Sequence, residues 1–135
     1  MEIAIIGVGG IGGFIGAKLA STYSNTTNHS ITFVQRGEHG KKIKERGILL
    51  KSKHDILAFP SFIYENTHEC GIFDLIFICT KSKDLESTAQ AISKNIHNNT
   101  TIISLLNGVN NAIRLQNIFP NHRILDGCIY VSAAI

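Results

Sequence analysis

The chain has 135 residues, 44% of them hydrophobic, which is enough for one compact domain with a real core. Thirteen basic against ten acidic side chains leave a formal charge of +3, too mild to argue for a nucleic-acid partner. Its three cysteines, Cys70, Cys79 and Cys128, are odd in number and sit at no metal-ligand spacing, so neither a disulfide framework nor a metal site is expected and a reducing, cytoplasmic setting fits.

Residues 3–6 form an apolar run that predicts a buried strand, and the small residues after it predict a helix over about 11–22. Residues 3–20 are mostly apolar, but Glu2 stands where a signal peptide carries positive charge and Lys18 interrupts the run, so neither a leader nor a membrane span is expected. Turn formers over 21–30 lead to a second strand at 31–35 and a short basic helix at 38–46. The cations Arg36, Lys41, Lys42, Lys44 and Arg46 are interrupted by Glu38 and Glu45 and read as a solvated face. Residues 48–52 and 55–60 are strand-like pieces that predict a hairpin closed by Pro60.

Residues 73–80 form the clearest buried strand. Leu85, Ala89, Ile92 and Ile96 then recur at helical spacing, predicting a helix over about 82–95. Another strand follows at 101–106, then a helix marked by Ala112, Leu115 and Phe119 and ended by Pro120, and residues 124–135 close the chain as strand. Cys79 and Cys128 fall inside apolar runs, where a free cysteine behaves as a small buried hydrophobe. Strands apolar on both faces and separated by helices predict an α/β fold: a doubly wound, mostly parallel Rossmann-type sheet with helices on both faces.

Six glycines crowd into "GVGGIGGFIG", residues 7–16, although a glycine inside an element costs roughly 0.5–1 kcal/mol relative to alanine. The spacing Gly7-x-Gly9-x-x-Gly12 between a strand and a helix gives each a task. Gly7 permits a tight turn, Gly9 lets a pyrophosphate approach the backbone, and Gly12 lets the helix pack closely on the strand. Gly16 and Ala20 continue the small stripe. A diphosphate would rest on free amides at the helix N-terminus, where the helix dipole favours negative charge. The second strand ends in Val34-Gln35-Arg36-Gly37, with no carboxylate to hold ribose hydroxyls. An arginine there suits a 2′-phosphate, so the expected cofactor is NADPH/NADP.

Two later strand ends carry polar residues: Thr80, Lys81 and Ser82 at one, Asn107 and Gly108 at the next. Taken alone, Ser82 and Asp84 read equally well as a cap and a first-turn anion, and Asn107-Gly108 as a turn. Together with "IAIIGVGGIGGFIGAKLA", "VQRG", "FDLIFICTKSKD" and "ISLLNGVNN", and with the closing "GCIYVSAAI", the chain resembles the N-terminal NADP-binding domain of the ketopantoate reductase (2-dehydropantoate 2-reductase) family over essentially its whole length. The glycine loop is common to many dehydrogenases, whereas "CTK" followed by "LLNGV" is more specific.

The resemblance implies that Gly7, Val8, Gly9, Gly10, Ile11 and Gly12 bind the cofactor pyrophosphate and Arg36 its 2′-phosphate. Lys81 would contact the cofactor ribose, Asn107 would sit beside nicotinamide and substrate, and Ala133 would approach the cofactor through its backbone. It further implies a helical C-terminal domain that supplies the general-acid lysine. Residues 1–135 would then be the cofactor half, with no catalytic residue of their own, working with that domain on a small 2-keto acid and open to forming a homodimer. The uncharged last eight residues fit a chain that continues. Two rival readings share the glycine loop. One is the cofactor domain of another NAD(P)-dependent 2-keto acid or sugar-acid dehydrogenase, and the other is a non-enzymatic nucleotide-sensing module. The sensing modules typically place an acid where this chain has Arg36.

Overall fold

Ile3 and Ile5 of the first strand point to one side and Ala4 and Ile6 to the other, and all four are buried, so this strand needs cover on both faces. The computed structural model, which describes residues 1–133, supplies it. The elements run β1 (Glu2–Ile6), α1 (Gly10–Tyr23), β2 (Ser30–Val34), α2 (Gly37–Arg46), β3 (Ile48–Leu50), β4 (Ile56–Ala58), β5 (Phe62–Tyr64), β6 (Phe73–Ile78), α3 (Leu85–Ile92), β7 (Ile96–Ser104), α4 (Asn111–Ile118) and β8 (Arg123–Asp126). Six strands form one sheet in the order β5-β2-β1-β6-β7-β8, every neighbouring pair parallel. This is the doubly wound order, in which the chain proceeds outward from β1 in one direction and then from β6 in the other.

Each face has its own core. On one side Ala4, Ile6, Ile76, Ile78 and Ile102 meet Leu85, Ala89 and Ile92 of α3 and Leu115 of α4. On the other, Ile3, Ile5, Ile31 and Phe33 meet Ala17 and Ala20 of α1, Ile43 of α2 and Ala58. The expected hairpin exists: β3 and β4 pair antiparallel, Leu49 opposite Leu57, and lie across α1. The basic cluster is a solvated face, with Ile43 and Gly40 turned inward and the cations exposed.

Three expectations are corrected. The final strand ends at Asp126, and residues 127–133 are irregular; residues 134–135 lie outside the described residues. β7 ends at Ser104, the partner of Asp126, so the apolar run beyond has no strand backbone to pair with and does not extend the ladder. Cys128 therefore stands exposed instead of buried. The helix expected over 82–95 is α-helical only at Leu85–Ile92 and opens with a 3-10 turn at Ser82–Asp84. β5, unpredicted, adds the outer parallel strand beside β2. No helix among the described residues is long and apolar enough to cross a membrane.

At the end of the sheet opposite the glycine loop, Asp74 joins three strands. Its Oδ2 accepts from the Glu2 amide at 2.7 Å and its Oδ1 from His97 Nε2 at 2.9 Å. His97 Nδ1 itself accepts from the Asn99 amide at 3.1 Å, which puts the ring proton on Nε2. The Glu2 amide first, and His97 second, hold the Asp74 carboxyl below the usual carboxylate range. A depressed carboxylate stabilises above its unfolded-state value, and that contribution is lost as pH falls through the folded value. Asp74→Asn is expected to lower stability by less than about 1 kcal/mol at neutral pH, since the pair is half exposed. Urea unfolding should show the difference from wild type shrinking below roughly pH 4.

Candidate functional site

The order of the strands reverses between β1 and β6, and in doubly wound sheets ligands lie beyond the strand ends at that point. The glycine loop occupies it. Gly7 leaves β1 with φ +89°, and a Cβ there would meet Thr80 Cγ2 at 3.0 Å and the Cys79 carbonyl carbon at 3.1 Å. A Cβ on Gly12 would run into the carbonyl oxygen of Gly7 and reach Cys79 Cβ at 3.0 Å. One turn on, a Cβ at Gly16 would strike the Phe33 ring at 2.7 Å, so the small stripe brings α1 down onto β2.

The N-terminus of α1 is left open. Gly9 provides no capping side chain, and no acid lies in the first turn. Among the described residues, no acceptor answers the amides of Gly9, Gly10, Ile11 and Gly12. Unpaired amides at a positive dipole end form an anion site with no further parts.

Two side chains that the sequence reading passed over hold this loop in place. Gln35 Oε1 accepts from the Val8 amide at 2.6 Å, and His39 Nε2 meets the Val8 carbonyl at 2.9 Å. Gln35 Nε2 in turn donates to the Arg36 carbonyl at 3.1 Å. Both polar groups of the buried Val8 are thus met from the segment that carries Arg36. Gln35 had been legible only as a missing carboxylate; its use as a tie depends on the approach of β1 and β2.

Arg36 is exposed just beyond β2 and lines a cleft of about 320 Å³ with Gly7, Gln35, Thr80 and Asp84. Glu65, one residue past β5, lines the same cleft, a carboxylate that could not be placed without that strand. A second cavity, of about 650 Å³, lies on the other side of the loop against Gly9, Gly10, Phe14, Lys42 and Ala133. The Ala133 carbonyl oxygen lies 2.6 Å from where a Cβ on Gly10 would be, so the chain end crosses the glycine loop. Lys81 and Asn107 line neither cavity; they stand exposed at the tips of β6 and β7.

The sequence profile described as Ketopantoate reductase PanE/ApbA matches residues 3–135. The chain belongs to the ketopantoate reductase family. It is 30% identical over 81% of its length to a 2-dehydropantoate 2-reductase of Mesorhizobium japonicum, of which it covers 32%. An uncharacterized oxidoreductase of Bacillus subtilis, YkpB, is 27% identical over the whole chain, which spans 43% of that protein. Its fold superposes on the crystal structure of 2-dehydropantoate 2-reductase from Porphyromonas gingivalis with a TM-score of 0.91 and 36% identity, covering 99% of this chain and 48% of that one. A ternary structure of D-mandelate dehydrogenase with NADH and anilino(oxo)acetate matches at TM-score 0.75 and 25% identity, over 98% of this chain and 46% of that one. The chain thus spans from about a third to about half of the length of these relatives.

Burial pushes the Cys79 thiol up to about 12, and burial with the Glu69 charge pushes Cys70 up to about 11. Both stay protonated, which removes them as nucleophiles in this member of the ketopantoate reductase family. The glycines themselves give a sharp test. Gly12→Ala should cost about 1–3 kcal/mol, because backbone cannot retreat from the new methyl. Gly13→Ala should be neutral or slightly stabilising, since its Cβ is tight only against the flexible Ile48 Cδ1 at 3.3 Å, with Val8 Cγ1 at an ordinary 4.0 Å, and alanine favours the helix. Denaturant midpoints of the two variants check the contrast.

Proposed function

We propose that residues 1–135 are the NADPH-binding half of a 2-dehydropantoate 2-reductase, which reduces ketopantoate to pantoate. The observation that carries the reading is an open helix N-terminus at the reversal point of the sheet, with Arg36 in the cleft that Gly7 lines. The bound cofactor supplies the hydride. The amides of Gly9, Gly10, Ile11 and Gly12 would hold its pyrophosphate, with Gly7 and Val8 shaping the loop, and the exposed Arg36 guanidinium would grip the 2′-phosphate. Lys81, at the β6 tip, would reach the ribose. Asn107, at the β7 tip, would orient nicotinamide and keto acid, and the Ala133 backbone would close over the loop from above. A proton donor for the developing alkoxide is still required, and none of these residues is assigned that role. The reading gives it to a lysine in a further domain, so the chain alone should bind NADPH and turn over little ketopantoate.

The second reading is an NADH-using dehydrogenase of another 2-keto acid. Glu65 in the Arg36 cleft favours it, because a carboxylate there can accept from ribose hydroxyls and repels a 2′-phosphate. The two readings separate in titrations with NADPH and NADH. NADPH should bind at least about tenfold tighter than NADH, and Arg36→Ala should remove that advantage while leaving NADH within about twofold, as expected for lost charge-assisted hydrogen bonds. Equal affinities, or no loss in the variant, would defeat the first reading. A several-fold weakening of NADH by Glu65→Gln would establish the second.

A further inference from the structure

We infer that Asn111 is a positioning residue for the cofactor half of this site that lies beyond β6, acting through the loop that carries Asn107; the inference rests on the dinucleotide reading above. Asn111 opens α4 and is 2% exposed. Its Nδ2 donates to the carbonyls of Leu106 at 3.3 Å, Asn107 at 3.3 Å and Gly108 at 3.4 Å, so one amide group sits inside the curve of the β7 tip. Gly108 has φ +122°, and a Cβ there would approach that same nitrogen to 3.3 Å. The loop is wound around the carboxamide.

The other end of the group faces the neighbouring tip. Asn111 Oδ1 accepts from Ser82 Oγ at 3.3 Å and from Arg114 Nη1 at 3.2 Å. Arg114 also donates to the Ser82 carbonyl at 3.0 Å and holds Glu86 with two bonds, at 2.7 and 2.6 Å. Ser82 follows Lys81 directly, so one side chain ties the segments that bear Lys81 and Asn107. The carboxamide serves both ends at once, whereas a carboxylate has no donor and an aliphatic side chain has neither group. Among the described residues, the Asn107 amide and the Lys81 ammonium have no hydrogen-bond partner of their own, although the backbone beneath Asn107 is fixed. A fixed backbone limits where these two side chains can reach, which is the contribution the Asn111 ties make to positioning a ligand.

The sheet order gives a way to test this. Arg36 and the glycine loop lie on the β1–β2 side of the reversal, and Asn107 lies two strands away on the other side. 2′,5′-ADP carries only the part of the cofactor that reaches the first side, whereas NADPH spans both. The chain has no tryptophan, so the emission of NADPH itself reports binding, and calorimetry reports 2′,5′-ADP. Asn111→Leu should weaken NADPH by about tenfold and 2′,5′-ADP by less than about twofold, the scale of one hydrogen-bonding group lost. Asn111→Asp removes the donor but keeps the size and the Arg114 bond; it should give the same split if the leucine variant does not fold. In an Asn107→Ala background the loss from Asn111→Asp should fall below about twofold. Equal weakening of both ligands, no weakening of either, or a loss undiminished without Asn107 would overturn the inference alone. Failure of the wild-type chain to bind either ligand would overturn the dinucleotide reading, and this inference with it.

Discussion

Backbone resting on backbone where β1, α1 and β6 converge is the constraint on which the rest of this structure depends. The first helix can begin immediately after β1 only because Gly7 takes a left-handed turn and Gly12 has no side chain to hold the helix away from it. That closeness aims the helix dipole, and four amides that have no acceptor among the described residues, at the reversal point of the sheet. It also sets the depth of α1 against Phe33, and through α1 the seat of the β3–β4 hairpin. The polar geometry of the site is therefore a by-product of packing that leaves no room for a methyl group.

Around this junction the molecule fixes its backbone with side chains from neighbouring elements. Gln35 and His39 secure Val8, and Asn111 with Arg114 secures the tips of β6 and β7. Arg36, Lys81 and Asn107 stand exposed just beside these ties. The division of labour is consistent: buried or half-buried amides and guanidinium hold loops still, and the residues next to them reach outward. Arg114 lifts no weight as an isolated surface ion pair, which solvent would screen; it matters because it touches Ser82, Asn111 and Glu86 at once.

Local patterns were the legible part of the sequence. The glycine spacing, the run at 73–80 and the hairpin with Leu49 and Leu57 are each set by residues within a few positions of one another, so period and turn chemistry reveal them. β5 escaped because Phe62–Tyr64 is three residues long and exists only through its pairing with β2. Glu65 was hidden with it. Cys128 misled for the opposite reason: an apolar run looks like strand whether or not a neighbour is there to pair with it. The three carbonyl partners of Asn111 become visible only once the β7 tip curls back over it.

The central pair of strands carries one more consequence. β1 and β6 are parallel neighbours, and the Glu2 amide meets a carboxylate 72 positions further along the chain. No tight turn can bring such partners together, and the β1–β6 pairing must close that long loop before its own bonds repay the entropy. An isolated peptide containing the glycine run would have no Thr80 to lean on and no Gln35 to tie it. The geometry of the glycine loop is thus a property of the completed sheet, drawing on residues from both halves of the chain.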